Sequence, residues 1–304
     1  MERGSDQVQR LEKELASLLD QTVGSDHVEI TRDPTSLYRY LRARDWDVKA
    51  ALDMIQDSIL WRQRERPDQW TCKWCREKTG YHAMRQVGHD ALGRAVFYSS
   101  FIQMTLTASS ACAEDSVAHV VYLLEQAIRS MATIPNGSDS CVWVMDCTGM
   151  FLAACSPRVA YRVNQILSHH YPERLARILC VNSGYMMRGA FAAIKHFLAP
   201  RTAAKMRFMP VPITRESLLD EHMGDEMTEW LMEEIRLNAQ RTIGDSQLRF
   251  WERPAATESV HDPRGSDGYV KQFIATYRGS LKGGDPKGVH HPHPNIIEAV
   301  TACK

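Results

Sequence analysis

Cys141 to Met145 reads CVWVM, an unbroken apolar run with the turn signal Pro135-Asn136-Gly137 before it and Asp146 after it. As a strand, this run carries apolar side chains on both faces, because successive residues alternate sides. Both faces then need cover, and a central parallel strand with helices on either side meets that demand. The flanking sequence fits the same scheme. Ala95 to Tyr98, Arg177 to Val181 and Met206 to Met209 are short strands. Between them run segments of helical period. Glu114 to Met131 sets Val117, Val120, Val121, Leu124, Ile128 and Met131 on one face. A second helix starts at Pro157 with Val159, Val163, Ile166, Leu167 and His170 inward, and a third spans Arg188 to Leu198. Strands alternating with helices imply βαβ units, so the expected class is α/β with a parallel-rich sheet covered by helices.

The N-terminal part is helical instead. Leu11, Leu15, Leu18 and Leu19 share a face, and Asp33-Pro34 is read as the cap and first turn of a further helix. Leu37, Tyr40 and Leu41 line the buried side of that helix, and after a break at Asp45 a longer helix runs to Trp61. Four segments result: a helical subdomain over 1–66, a linker over 67–92, the α/β domain over 93–238, and a tail over 239–304. Pro254, Pro263, Gly283-Gly284 and the HHPHP tract at 290–294 make that tail irregular or disordered by composition.

Lys and Arg together number 37, as do Asp and Glu, so no global field favours a nucleic acid. The first ten residues lack the apolar core of a signal peptide, and no run approaches the roughly 18 apolar residues of a membrane span. A cytoplasmic protein is expected. Cys72-Lys-Trp-Cys75 suggests half a metal site or a redox pair, but no second CxxC accompanies it. Structural thiols are the better reading, and no metal is expected. The sequence shows no phosphate-binding glycine loop, no G-x-S-x-G elbow and no H-E-x-x-H. It is read as a non-enzyme.

One constellation stands out between Tyr171 and Lys205. YPERLARILCVNSG places Glu173 just before an apolar strand, and FLAPRTAAKM places Pro200 at the first position of a helical turn. Thr202 then lies near free backbone N–H groups, where phosphate binds, with Lys205 one turn further on. On spacing alone, an exposed Glu–Lys pair worth about 0–1 kcal/mol is the stronger alternative.

LYRYLRARDWDVKAALDMIQDSILWR (37–62), GRAVFY, VWVMDCTGM, YPERLARILCVNSG and FLAPRTAAKMRF follow one another in an order that resembles the Sec14-like (CRAL-TRIO) family of lipid transfer proteins. The resemblance covers roughly residues 30–220. It implies that Arg44, Glu173, Thr202 and Lys205 hold an inositol phosphate head group, Glu173 accepting from hydroxyls and Lys205 facing phosphate. It also implies a gated apolar cavity, with Trp143, Phe191, Ile194, Phe197 and Leu198 at the acyl chains or in the gate, and Gly184 and Gly189 flanking the start of the gate helix. The implied ligand is a phospholipid, phosphatidylinositol foremost, with no cofactor besides the lipid. The implied protein is a monomer that visits membrane surfaces transiently. Two alternatives stay open: the same fold carrying a neutral retinoid- or tocopherol-like ligand, and a non-transferring interaction scaffold. The sequence departs from the family at Cys141 and Trp143, where binders of phosphatidylcholine carry serine and threonine, and at Asp45 and Ala199.

Overall fold

The computed structural model describes residues 4–23, 35–70, 84–102, 104, 113–132, 138–150, 157–194 and 200–240. CKWC, Phe197, Leu198 and nearly all of the C-terminal tail lie outside these residues, as do the Asp33-Pro34 cap and the HHPHP tract. The chain divides into two compact units. The first comprises residues 1–68 with 163–174, the second 69–162 with 175–304.

In the first unit, α1 (Asp6–Val23), α2 (Ser36–Ala43) and α3 (Val48–Glu65) pack on one another. Their core is Leu15 and Leu19 of α1, Tyr40 and Leu41 of α2, and Ala51, Met54, Ile55 and Ile59 of α3, with Leu11, Leu18 and Leu37 partly buried beside them. These are the positions that the helical period selects. Between α2 and α3 the chain turns through two residues of left-handed backbone, Asp45 (φ 54°) and Trp46 (φ 71°). Asp47 then caps α3, its side chain accepting from the Ala50 N–H at 2.9 Å. The end of the 163–174 segment is fixed to α3. Trp61 stacks on His170 at 4.3 Å between centroids, and Ser58 donates to the His169 carbonyl at 3.1 Å.

The second unit is built on a sheet in the order β1 (Met84–His89), β2 (Ala95–Ser100), β3 (Cys141–Asp146), β4 (Leu175–Val181), β5 (Met206–Phe208). β1 and β2 are antiparallel, and the remaining neighbours are parallel. The run CVWVM is thus a central strand, as its double-sided apolarity demands. β1 lies in the segment expected to be linker, and Pro67–Gln69 there forms a turn of 3₁₀-helix. MRQVGH reads poorly as a strand because polar Arg85 and Gln86 interrupt its apolar pattern, yet both are buried. Tertiary partners decide the outcome. A bulge at Gln86–Gly88 lets both Gln86 and His89 reach Ser130 of α4 (Ala113–Ala132), at 2.9 and 3.0 Å.

Register assigns the faces. Phe97, Trp143, Ile178 and Met206 align across the sheet, as do Ser99, Met145, Cys180 and Phe208. Against the Phe208 end of this face lies α6 (Tyr185–Ile194), which follows α5 (Pro157–His170) and β4 in the chain. Phe191 meets Phe208 edge to face at 5.3 Å, and Met187 joins the same cluster. The helix starts at Tyr185 rather than Arg188, so Gly189 lies inside it instead of flanking its start. A Cβ added at Gly184 or Gly189 meets nothing within 4 Å, so crowding does not require glycine at either position.

The opposite face carries Tyr98, Val142, Val144 and Asp146 under α9 (Asp225–Ala239), which follows α7 (Pro200–Ala204) and α8 (Arg215–Leu219). Trp230, Glu234 and Asn238 recur at intervals of four along α9 and so share a face. Trp230 packs edge-on against Tyr98 at 5.4 Å, and Glu234 pairs with Arg85. Asn238 donates to Tyr98 and to Asp146.

Candidate functional site

Glu173 closes the turn at the end of the first unit. Its backbone is left-handed (φ 57°), an uncommon conformation for a residue with a side chain. Its side chain is 11% exposed, with Arg42 at 3.6 Å. A carboxylate so covered needs a cation or several donors, because burial disfavours its charge. The family resemblance implies Arg44 for this neighbourhood. Arg44 is the C-cap of α2, its N–H donating to Tyr40 and Leu41 carbonyls, and Arg42 reaches Glu173. The motif LRAR supplies both arginines, and spacing alone does not choose between them. In the fold, Arg42 sits on α2 and Arg44 follows that helix as its C-cap.

Tyr171 packs edge-on against Trp61, and its N–H donates to the Leu167 carbonyl at 3.1 Å. Next to it, His170 is held well below its usual range, at about 4. Burial is the main cause, and the charge of His169 adds to it. A neutral imidazole stacked on Trp61 therefore fixes the start of the YPER turn.

In the second unit, Pro200 is the first residue of α7, as the sequence suggests. The Thr202 carbonyl accepts from the Lys205 N–H at 3.1 Å, and the Lys205 carbonyl accepts from Ile178 at 2.9 Å. Both side chains are half-buried. The sheet pairing of β4 with β5 thereby sets the backbone at Lys205.

The apolar face contains Trp143, Met145, Met206 and Phe208, each with part of its surface still open, around buried Ile178 and Cys180. The Trp143 indole donates to the Ser99 hydroxyl at 2.8 Å, so both polar groups on that part of the face are satisfied. Cys141, at the other departure from the family pattern, is 1% exposed. Of the remaining gate residues, Phe191 is placed on α6; Ile194 ends that helix. Phe197 and Leu198 fall outside the described residues.

A cavity of about 570 Å³ opens where β3 and β4 end, with Cys147, Met150, Asn182, Met187, Ile213 and Ile235 among its walls. The carboxyl ends of parallel strands are where open α/β sheets bind ligands, and the volume falls within the usual range of about 300–1,000 Å³. Its polar groups are engaged: Thr148 donates to Asp146 at 2.6 Å and accepts from Asn182 at 3.0 Å. Among the described residues no group of three or more His, Cys, Asp or Glu is placed to hold a metal ion. Nor is any helix of those residues long and apolar enough to cross a membrane.

Two family models match the chain. The CRAL/TRIO domain matches residues 80–228, and the CRAL/TRIO N-terminal domain matches residues 8–57. The chain belongs to the CRAL-TRIO family. A CRAL-TRIO domain-containing protein of Schizosaccharomyces pombe is 25% identical over 285 residues, covering 88% of this chain and 27% of that protein. The SEC14 cytosolic factor of Eremothecium gossypii is 25% identical over 199 residues, covering 61% of this chain and 65% of that protein. This CRAL-TRIO chain thus spans less than two thirds of the length of either relative. The crystal structure of Sfh5 has the same fold, with a TM-score of 0.56 at 16% identity over 74% of this chain and 86% of the other. CRAL-TRIO proteins are in general lipid-binding and lipid-transfer proteins rather than enzymes.

Proposed function

We propose that this CRAL-TRIO protein binds phosphatidylinositol and transfers it between membranes. The observation that carries the reading is Glu173, a carboxylate 11% exposed on a left-handed turn with an arginine 3.6 Å away. Inositol offers several hydroxyl donors, which suit an acceptor that is anchored and largely shielded from water. Thr202 and Lys205 meet the phosphate, and Arg42 joins Arg44 as the assisting arginine. The half-open apolar face around Trp143, Met145 and Phe208 takes acyl chains. No cofactor takes part and no bond is made or broken. The protein acts as a cytoplasmic monomer with transient contact at membrane surfaces, without nucleic acid.

The test is transfer of labelled phosphatidylinositol between vesicles, together with native mass spectrometry of the lipid that co-purifies. Glu173→Ala and Lys205→Ala are each expected to abolish transfer without lowering the yield of folded protein. Unchanged transfer in both variants overturns the phosphatidylinositol reading. A co-purifying sterol, retinoid or tocopherol would establish the neutral-ligand alternative.

A further inference from the structure

We propose that Arg177 and Arg207, held by Glu221, form a binding site for a phosphomonoester dianion. The three residues are far apart in sequence and meet through the sheet. β4 and β5 pair Ile178 with Met206 and Leu179 with Arg207, so Arg207 lies on the face opposite Ile178, as does Arg177. Lys205 immediately precedes β5. Glu221 comes from the turn between α8 and α9.

Glu221 is a fixed post. Its side chain is 2% exposed, and its carbonyl accepts from Arg94 at 3.0 Å. The neighbouring His222 carbonyl accepts from the Ala91 N–H at 2.9 Å. Arg177 donates to Oε2 at 2.6 Å, and the Nη1 of Arg207 lies 2.6 Å from Oε1. One arginine would offset this carboxylate; two leave an excess positive charge. The two contacts also differ in kind. Glu221 Oε1 has no aligned hydrogen bond despite the proximity of Arg207, so that contact is coulombic. Among the described residues Arg207 has no other side-chain partner, and its side chain is 56% exposed, that of Arg177 44%. Two guanidinium groups are therefore tied to one buried anchor while much of their donor surface remains in water.

That arrangement suits a doubly charged, multidentate acceptor. Guanidinium forks match phosphate oxygens, and a phosphomonoester carries about 1.5–2 negative charges at neutral pH. The phosphodiester of phosphatidylinositol has one negative charge, so this site goes beyond the head group proposed above. The same chemistry is found in a phosphorylated inositol lipid and in free phosphate.

Two assays separate the sources. In the first, the full chain is floated with vesicles containing phosphatidylinositol 4-phosphate, or with phosphatidylserine vesicles matched for total charge. Preferential binding to the phosphorylated lipid is expected. Changing both arginines to lysine keeps the charge that Glu221 needs but removes the forks. We expect that pair to lose the preference about tenfold or more while phosphatidylserine binding stays unchanged. Glu221→Gln adds a positive charge yet frees the arginines. It is expected to weaken discrimination even as general anion binding rises. In the second assay, inorganic phosphate is titrated against the thermal midpoint. A rise in midpoint absent from the double-lysine protein, without vesicle preference, assigns the site to a soluble phosphate. No vesicle preference and no rise in midpoint in the wild type overturns the proposal and leaves the arginines as protection for an edge strand. Loss of phosphatidylinositol transfer in Glu173→Ala tests the other reading and does not bear on this one.

Discussion

The two faces of the sheet solve opposite problems. Under α9 the sheet buries polar groups against one another. Tyr98 donates to Asp146 at 3.0 Å, Asn238 donates to both, and Arg85 pairs with Glu234 while lying 5.2 Å from the Tyr98 ring and 5.7 Å from the Trp230 ring. Burial raises the Tyr98 phenol well above its ordinary range, with the Asp146 charge adding to it, so the hydroxyl keeps its proton and remains a donor. The other face is apolar and rich in sulfur, and it is incompletely covered. Met145, Met206, Met150 and Met187 surround Ile178 and Cys180 there. Methionine is flexible and fills irregular space, which suits a surface that must accept chains of varied shape. The sealed face fixes one structure, and the open face leaves room for an occupant.

The largest effect should come from the sealed face. Glu234→Ala strands a buried arginine, and breaking a buried ion pair costs about 3–5 kcal/mol. Urea denaturation should show a loss of that order. A loss below about 1 kcal/mol would mean that the network is not the anchor of α9. On the open face the balance should reverse. Phe191→Asp removes the contact with Phe208, and slower lipid exchange is expected with only a small fall in thermal midpoint. A spin label at exposed Ala192 should change mobility when vesicles are added. An immobile label during active exchange would make α6 a fixed wall and place both faces in the same class.

The smallest effect carries the comparison into the first unit, where His170 is a half-buried polar group. Its folded value of about 4 lies below the ordinary 6.5. Between those limits the unfolded chain takes up a proton that the folded chain does not. This contribution is therefore complete above about pH 6.5, is lost as the pH falls toward about 4, and levels off below that. His170→Phe retains an aromatic ring on Trp61 and should flatten the fall of the thermal midpoint between pH 7 and 4. An identical slope in both proteins would show that His170 is not shielded.

Much of this was legible in the chain itself. Period identified α1, α3, α4, the three parallel strands β2 to β4, and the apolar face of α2, because burying an apolar stripe is a local demand repeated at every turn. CVWVM announced a central strand for the same reason, and the motif order announced the family. Period did not identify β1, since Arg85 and Gln86 are polar. Glu234 and Ser130, supplied by distant helices, help to make burying them tolerable. It did not separate Arg42 from Arg44, which differ by whether the helix still continues. It gave no hint that residues 177, 207 and 221 meet. Charge pairing across strands depends on register and on the path of the chain between them. Apolar pattern is written into each segment; the partners of buried charges are set by the tertiary structure, because a charge is stabilised by whichever group arrives beside it.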